Sequence, residues 1–458
     1  MNIVILGSGI TGLTAAEKLS KKFKDKVVVI EKESFAGGLA ATFKQDGLIV
    51  DFGSHRLHKA VSREMISYIE KKIDQKLLKL RRKGKLYFRG NFIQYPPTAL
   101  NLIKAISIPE ALGFAASYIH SRFIPARSPK QNFESTMIRR FGKKAYEALI
   151  KDYALKLWGI PPQDLSPVGT QKRIIMSGLE SLKDGLLNKK DYYFYPMKGI
   201  GEIARKTEEA IAYNGGRLIK NARVTGIEVS GNSVKTVTIS SQRSVSEKIP
   251  VSILISTIPI DELSDMAFGN NSTPELLWRA IRLVYILLDK KLEKENETFY
   301  FPTTSLIIGR VSNIEKYSPH LNPDIKGSLL TIEIPCLEGD AVWKKSENEI
   351  LEACLKDMEK VKIMPNGARV LKHFSVRLGK VYPLFKIGWK DNFLKIYEKL
   401  NTIENLFSIG RKGLFLHCNI DHCILQGIDI AEFIQKGNLQ KKIWNKKAST
   451  YLNFYARN

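Results

Sequence analysis

The alternation of apolar and polar residues changes period several times along the chain. It opens with an apolar run from Ile3 to Leu6, a stretch of helical spacing, and a second apolar run, VVVIE, ending at Glu31. Strand, helix and strand in this order predict a βαβ unit. From residue 61 to about 194 the spacing is mainly helical with basic faces, broken by the strand-like KLYFRGNFIQYPP. A helix is then expected from about Ile200, a turn at Gly215-Gly216, and a strand through Val224. An antiparallel meander and the apolar strand SILISTIP follow. Residues 261–385 mix strands (LVYILLDKKL, GSLLTIEIP) with the helix SENEILEACLKDMEKVK. The segment NLFSIGRKGLFLHCNIDHCILQGIDIAEFI (405–434) reads as a strand, an irregular loop and a helix from about Asp421, with Asp421 suited to the N-cap. IKAISIPEALGFAASYIHSRFI (103–124) is too interrupted to span a membrane, and a buried helix is the expected reading. Contact with a bilayer or an apolar pocket is the alternative for that stretch.

Composition adds size and charge. At 458 residues the chain exceeds one ordinary hydrophobic core. Its 72 Lys and Arg against 46 Asp and Glu leave a net charge of +26. Such a field favours anionic small molecules or acidic membrane surfaces, or does no more than keep the protein soluble. Without a nucleic-acid motif, no specific nucleic-acid partner is expected. Four cysteines make no disulfide framework, and with the first strand starting at Asn2 a cytoplasmic location is expected. Peripheral contact with the inner face of a membrane, and the oligomeric state, stay open.

The chemistry begins in the first turn. Gly7-x-Gly9-x-x-Gly12 lies between the strand and the helix. Gly7 allows the tight turn, Gly9 lets a pyrophosphate approach bare backbone, and Gly12 permits close helix packing. The helix N-terminus, from Ile10 and Thr11, offers N–H groups and a positive dipole end. Glu31, about 20 residues on, is placed to bind ribose hydroxyls, with Lys32 beside it. A dinucleotide site follows.

Beyond Glu31 comes KESFAGGLAATF, with a second glycine pair at Gly37-Gly38. This resembles the flavoprotein superfamily of amine oxidases, phytoene desaturases, protoporphyrinogen oxidases and UDP-galactopyranose mutases. The resemblance implies FAD as cofactor, with Gly37-Gly38 by its ribityl-diphosphate, Val224 by its adenine and Thr257 on another strand of the same domain. It implies an α/β fold: a Rossmann-type FAD-binding domain interleaved with a mixed α+β substrate domain. The expected division is 1–60, 195–260 and 386–436 for FAD, 61–194 and 261–385 for substrate, and 437–458 as a basic tail.

Motif wording is most similar to UDP-galactopyranose mutases. DFGSHRLH resembles their G-x-H-x-F-H signature, which implies Gly53, Ser54 and His55 at the flavin, His55 by its reactive face. Gly410, Arg411, Asn419, Ile420 and Asp421 resemble the segment that closes the FAD site. Arg173, Arg310 and Tyr382 match, in imperfect register, residues that line the relatives' substrate site. A guanidinium suits a diphosphate because its planar fork donates two bonds at once, although each arginine equally suits a surface ion pair. Phe415 and His417 stand where the mutases carry tyrosines. HCNIDHC lacks zinc-type spacing, so no metal is expected. Two uses of FAD follow. One is hydride transfer from an anionic or lipid-like substrate (prenyl or porphyrinogen type) to flavin N5. The other is non-redox, mutase-like conversion of a nucleotide sugar through reduced flavin.

Overall fold

In the computed structural model the described residues are 1–95, 97, 101, 105–123, 132–170, 191–241, 246–269, 273–437 and 439–454. A five-stranded parallel sheet holds Arg217–Ile219, Val27–Ile30, Ile3–Leu6, Ile253–Ser256 and Leu406–Ser408 in that spatial order. Its three central strands are buried along their length and almost wholly apolar, as a sheet covered on both faces requires. On one face lie the glycine-loop helix Ile10–Phe23 and the helices Glu202–Tyr213 and Ile420–Gln435. The chain reverses its spatial progression at Ile3–Leu6, and the crevice beyond the carboxyl end of such a strand is where α/β sheets bind ligands.

Beside it, a seven-stranded sheet runs Val370–Leu384, Leu277–Leu288, Ser328–Cys336, Arg310–Asn313, Thr298–Tyr300, Lys85–Phe88 and Asn91–Gln94. It is antiparallel except where Thr298–Tyr300 meets Lys85–Phe88. Helix Glu347–Lys360 covers one face, capped by Ser346 and Glu349 in a reciprocal capping box. The fold is a Rossmann-type FAD domain interleaved with a mixed α+β unit. The last segment, expected as a basic tail, is a helix, Lys441–Tyr451, whose Trp444 and Tyr451 are buried and whose Trp444 packs on Phe407 and Phe433.

Two expectations need correction. The apolar helix Ile108–Phe123 is not buried: among its described side chains only Ser121 is, and its large apolar residues face outward. Periodicity gave the helix correctly but carries no information about which face meets the protein. The N-cap of the late helix is Asn419, not Asp421; Asn419 and His422 form its capping box.

Candidate active site

The two helices expected to face the cofactor pack together: the first turn of Ile10–Phe23 lies against the middle of Ile420–Gln435, where Gly427 lets them close, because a Cβ there would lie 2.6 Å from the Thr11 carbonyl oxygen. A Cβ on Gly12 would lie 2.1 Å from the Gly7 oxygen, so only glycine lets the helix start this tightly against the turn. Gly9, in contrast, would meet nothing within 4 Å, and no side chain caps the helix it begins. The Gly37 N–H donates to the Ser8 oxygen at 2.8 Å and Gly38 packs on Gly9, so the second glycine loop lies against the first. Glu31 is buried at the strand end and accepts from the Ser8 N–H and hydroxyl, both at 2.8 Å, and from the Glu33 N–H. Its carboxylate therefore braces the glycine loop itself. Thr257 donates to the Leu6 oxygen, and Gly410, at φ +84°, packs on Thr11.

Arg411 donates to the Cys418 and Val381 carbonyls and lies over the Tyr382 ring at 5.1 Å, while its buried Nε has no protein partner among the described residues. Open backbone at Gly9, the uncapped helix start at Ile10 and this unpaired donor fit an anionic dinucleotide. Ile420 begins the second of the two packed helices, and Asp421 is buried in its first turn. Cys418 and Cys423 lie 3.8 Å apart in the same turn.

DFGSHRLH leads from the strand Leu48–Asp51 to the second sheet. Asp51 accepts from Thr42, from the Tyr195 hydroxyl and from the Ile200 N–H; burial raises its carboxyl to about 6 against the pull of those bonds. Gly53, at φ +85°, turns the chain past Glu333. Ser54 then donates to Glu333 through its N–H (3.0 Å) and hydroxyl (2.8 Å). Glu333 also takes both arms of Arg310, its cross-strand neighbour. Burial would raise Glu333, yet Arg310 and Ser54 hold it below its ordinary value. His55 is half-buried, and its enclosed Nδ1 has no partner among the described residues. Burial is the main reason its imidazole falls to about 4, with Glu333 opposing and Arg310 and Arg411 reinforcing. At neutral pH it is an uncharged ring. His58 accepts from the Ala60 N–H within its own turn.

Next to this turn is a cleft lined by Tyr95, Tyr153, Lys156, Tyr300, Arg310, Glu333 and Tyr382, among others. Tyr300 stacks on Tyr95 at 3.9 Å between centroids. Its hydroxyl accepts from Arg56 (2.8 Å) and from Arg82 (3.5 Å), and Arg310 lies 5.9 Å over its ring. Burial should raise a phenol, but these three arginines pull Tyr300 down, to about 8. Lys156 donates to the carbonyls of Phe301, Thr303 and Ile308, and burial lowers it to about 7.

The structure thus gathers His55, Arg310, Tyr382 and Arg411 around one region. Arg173 lies outside the described residues. Lys32 is exposed, pairs with Glu33 and lies near Lys412, the neighbour of Arg411. Val224 is buried in the strand Ala222–Ser230, whose start hangs on Glu31 through the Ala222 N–H. Phe415 is enclosed by Trp278, Phe385 and Trp389, whereas His417 packs edge-on to Tyr382 at 5.3 Å. Sequence reasoning missed Arg56 as a contributor, along with Arg82, Tyr300, Glu333 and Lys156. One signal was present: Glu333 is the lone acid in the apolar strand SLLTIEIPC.

Fold and crevice together define a dinucleotide-dependent flavoenzyme. The model of the family described as flavin containing amine oxidoreductase matches residues 10–434, and the chain belongs to that family. FAD is its cofactor. Over 176 residues the chain is 23% identical to a probable UDP-galactopyranose mutase of Klebsiella pneumoniae, covering 38% of this chain and 44% of that one. Over 83 residues it is 36% identical to a 4,4'-diapophytoene desaturase of Staphylococcus haemolyticus, covering 17% of this chain and 16% of the relative. The matched stretches thus span less than half the length of either relative. Among solved structures, a reduced UDP-galactopyranose mutase superposes with a TM-score of 0.81 at 21% identity, covering 100% of both chains. A putrescine oxidase bound to putrescine superposes with a TM-score of 0.63 at 14% identity, covering 95% of this chain and 99% of that one. These likenesses establish the fold.

Proposed function

We propose that the chain is an FAD-dependent oxidoreductase acting on an anionic or lipid-like small molecule. When bound, FAD supplies a two-electron acceptor for a substrate hydride. The sheet assembled from segments within 1–60, 195–260 and 386–436 carries the cofactor, and 61–194 with 261–385 shape the substrate cleft. Gly9, Gly37, Gly38 and the helix starts at Ile10 and Ile420 cradle the diphosphate, while Gly53, Ser54 and His55 border the reactive side. His55, neutral and with its Nδ1 enclosed, offers a hydrogen bond without a charge. Arg310 and Tyr382 contact substrate.

One observation carries the preference for an anion: three guanidinium groups gather at one wall of the cleft, Arg56 and Arg82 donating to the Tyr300 hydroxyl and Arg310 lying 5.9 Å over its ring. The same cations, each paired with one acid (Glu297, Asp191 and Glu333), pull the Tyr300 phenol down against its burial. That field attracts phosphate or carboxylate.

The same wall supports a second reading, a mutase-like use of reduced flavin on a nucleotide sugar, favoured by the whole-length superposition on such a mutase. Phe415, walled in by aromatics, cannot supply the hydroxyl that reading wants. Anaerobic mixing of the yellow holoprotein with prenyl diphosphates, porphyrinogens and UDP-sugars distinguishes the two. Bleaching of the flavin band with stoichiometric substrate oxidation is expected. Isomerisation of a UDP-sugar only after prior reduction, without net electron transfer, would overturn the redox reading in favour of the second.

A further inference from the structure

We propose that the helix Ile108–Phe123 is a docking surface for a bilayer containing anionic lipids. The inward face of the helix is lined by small residues beside Phe114: Gly113 sits under the Lys144 ammonium, the Ser117 hydroxyl accepts from the Lys144 N–H at 3.1 Å, Ser121 is buried and Phe114 is half-buried. Its outward face carries Ile108 (79% exposed), Leu112 (67%), Ile119 (56%) and Phe123 (81%) at positions i, i+4, i+11 and i+15. With the exposed Ala115 and Ala116 between them, they make a continuous apolar stripe. Water-facing apolar side chains at helical spacing are unfavourable for a protein that meets only water.

The size and charge of the surroundings select the occupant. Sixteen residues make a stripe roughly 24 Å long and 10 Å wide, well below the roughly 800 Å² per partner of a stable protein pair. A bilayer demands no matching shape. No helix among the described residues is long and apolar enough to cross a membrane, so the helix would lie in the interface. The chain carries +26, and exposed Arg122, Arg139, Arg140 and Lys143 lie on this helix or on the helices Phe133–Phe141 and Lys143–Leu149 packed against it. Of the local acids, Glu110 is tied to Arg89 and Glu147 lies within 3.9 Å of Lys143, while Glu134 is half-buried. The layer continues through Lys143–Leu149 to Lys151–Trp158, whose Tyr153, Lys156 and Leu157 line the cleft. Docking here would set the cleft-bearing layer against the membrane.

The proposal concerns where the enzyme sits, and its test does not depend on substrate. Holoprotein is sedimented with vesicles of phosphatidylcholine alone or with 30% phosphatidylglycerol, at low and high salt (~50 and ~500 mM). Expected is at least tenfold greater binding to the anionic vesicles, falling with salt and lost in Leu112→Glu and Phe123→Glu. The milder Leu112→Ser should weaken it, and flavin absorbance and melting should stay at wild-type values in all three. No preference for anionic vesicles, or binding that the stripe variants retain, overturns the proposal. A concentration-dependent dimer abolished by the same variants would assign the stripe to a second copy instead.

Discussion

At the residue scale the informative side chains are those held in an unusual protonation state by burial. His55 and Asp51, four positions apart, are pushed in opposite directions, His55 down to about 4 and Asp51 up to about 6. Between about pH 4 and 6.5 the unfolded chain takes a proton at His55 that the folded chain refuses, so acidification through that range costs stability. Asp51 acts oppositely: its proton is held by the fold, and its contribution is full at low pH and lost as pH rises through about 6. His55→Gln removes the first effect and leaves the second. Relative to wild type, the variant should gain about 1.4 kcal/mol per pH unit as pH falls from 6.5 towards 4, read by urea unfolding. A pH-independent difference between the two would mean that His55 is not a neutral ring. His55→Ala should cut turnover at least tenfold while the flavin-to-protein ratio stays near wild type; full activity would remove His55 from the reactive side.

At the scale of elements, the cross-strand pair Arg310–Glu333 ties the second sheet to the DFGSHRLH turn through Ser54. Glu333→Gln leaves a guanidinium buried without its counter-charge, which should cost about 3–5 kcal/mol. Arg310→Met added to it should recover most of that loss in chemical unfolding while substrate affinity stays impaired. If the double variant is no more stable than the single, the pair is not the source of the stability.

This is also where sequence legibility divides. The βαβ unit could be read because its glycines, strand and acid are neighbours in sequence with a fixed spacing. Arg56, Arg82 and Tyr300 could not, because they come from a turn, the end of one strand and the end of another, and nothing local encodes their meeting. RRKGKLYFRG reads as a solvated basic run until Arg82 is found buried beside Tyr95. The apolar helix failed for a different reason: a periodic stripe has the same pattern whether it faces core or solvent. Asp421 was mistaken for the cap because both it and Asn419 suit the role, and only backbone geometry separates them.

At the scale of the molecule, the cofactor crevice is made of segments from every part of the chain, so its occupancy should be felt by the whole fold. Removing FAD and adding it back at about 100 times its dissociation constant should raise stability by about 2.7 kcal/mol, visible as a coincident shift of far-ultraviolet and tryptophan melting curves. A shift confined to one signal would indicate that the two sheets melt separately.

The parallel sheet carries one more consequence, for biosynthesis. Ile3 pairs with Val27 on one side but with Ile253 on the other, and Leu254 in turn waits for Leu406. At ribosomal rates of about 5–20 residues per second, the first strand emerges some ten seconds or more before its second neighbour exists. Throughout that interval a short, wholly apolar strand presents a naked edge to the crowded cytosol or to a neighbouring nascent chain. Translation speed and chaperone supply, more than final stability, should therefore govern how much of this flavoenzyme is recovered in active form.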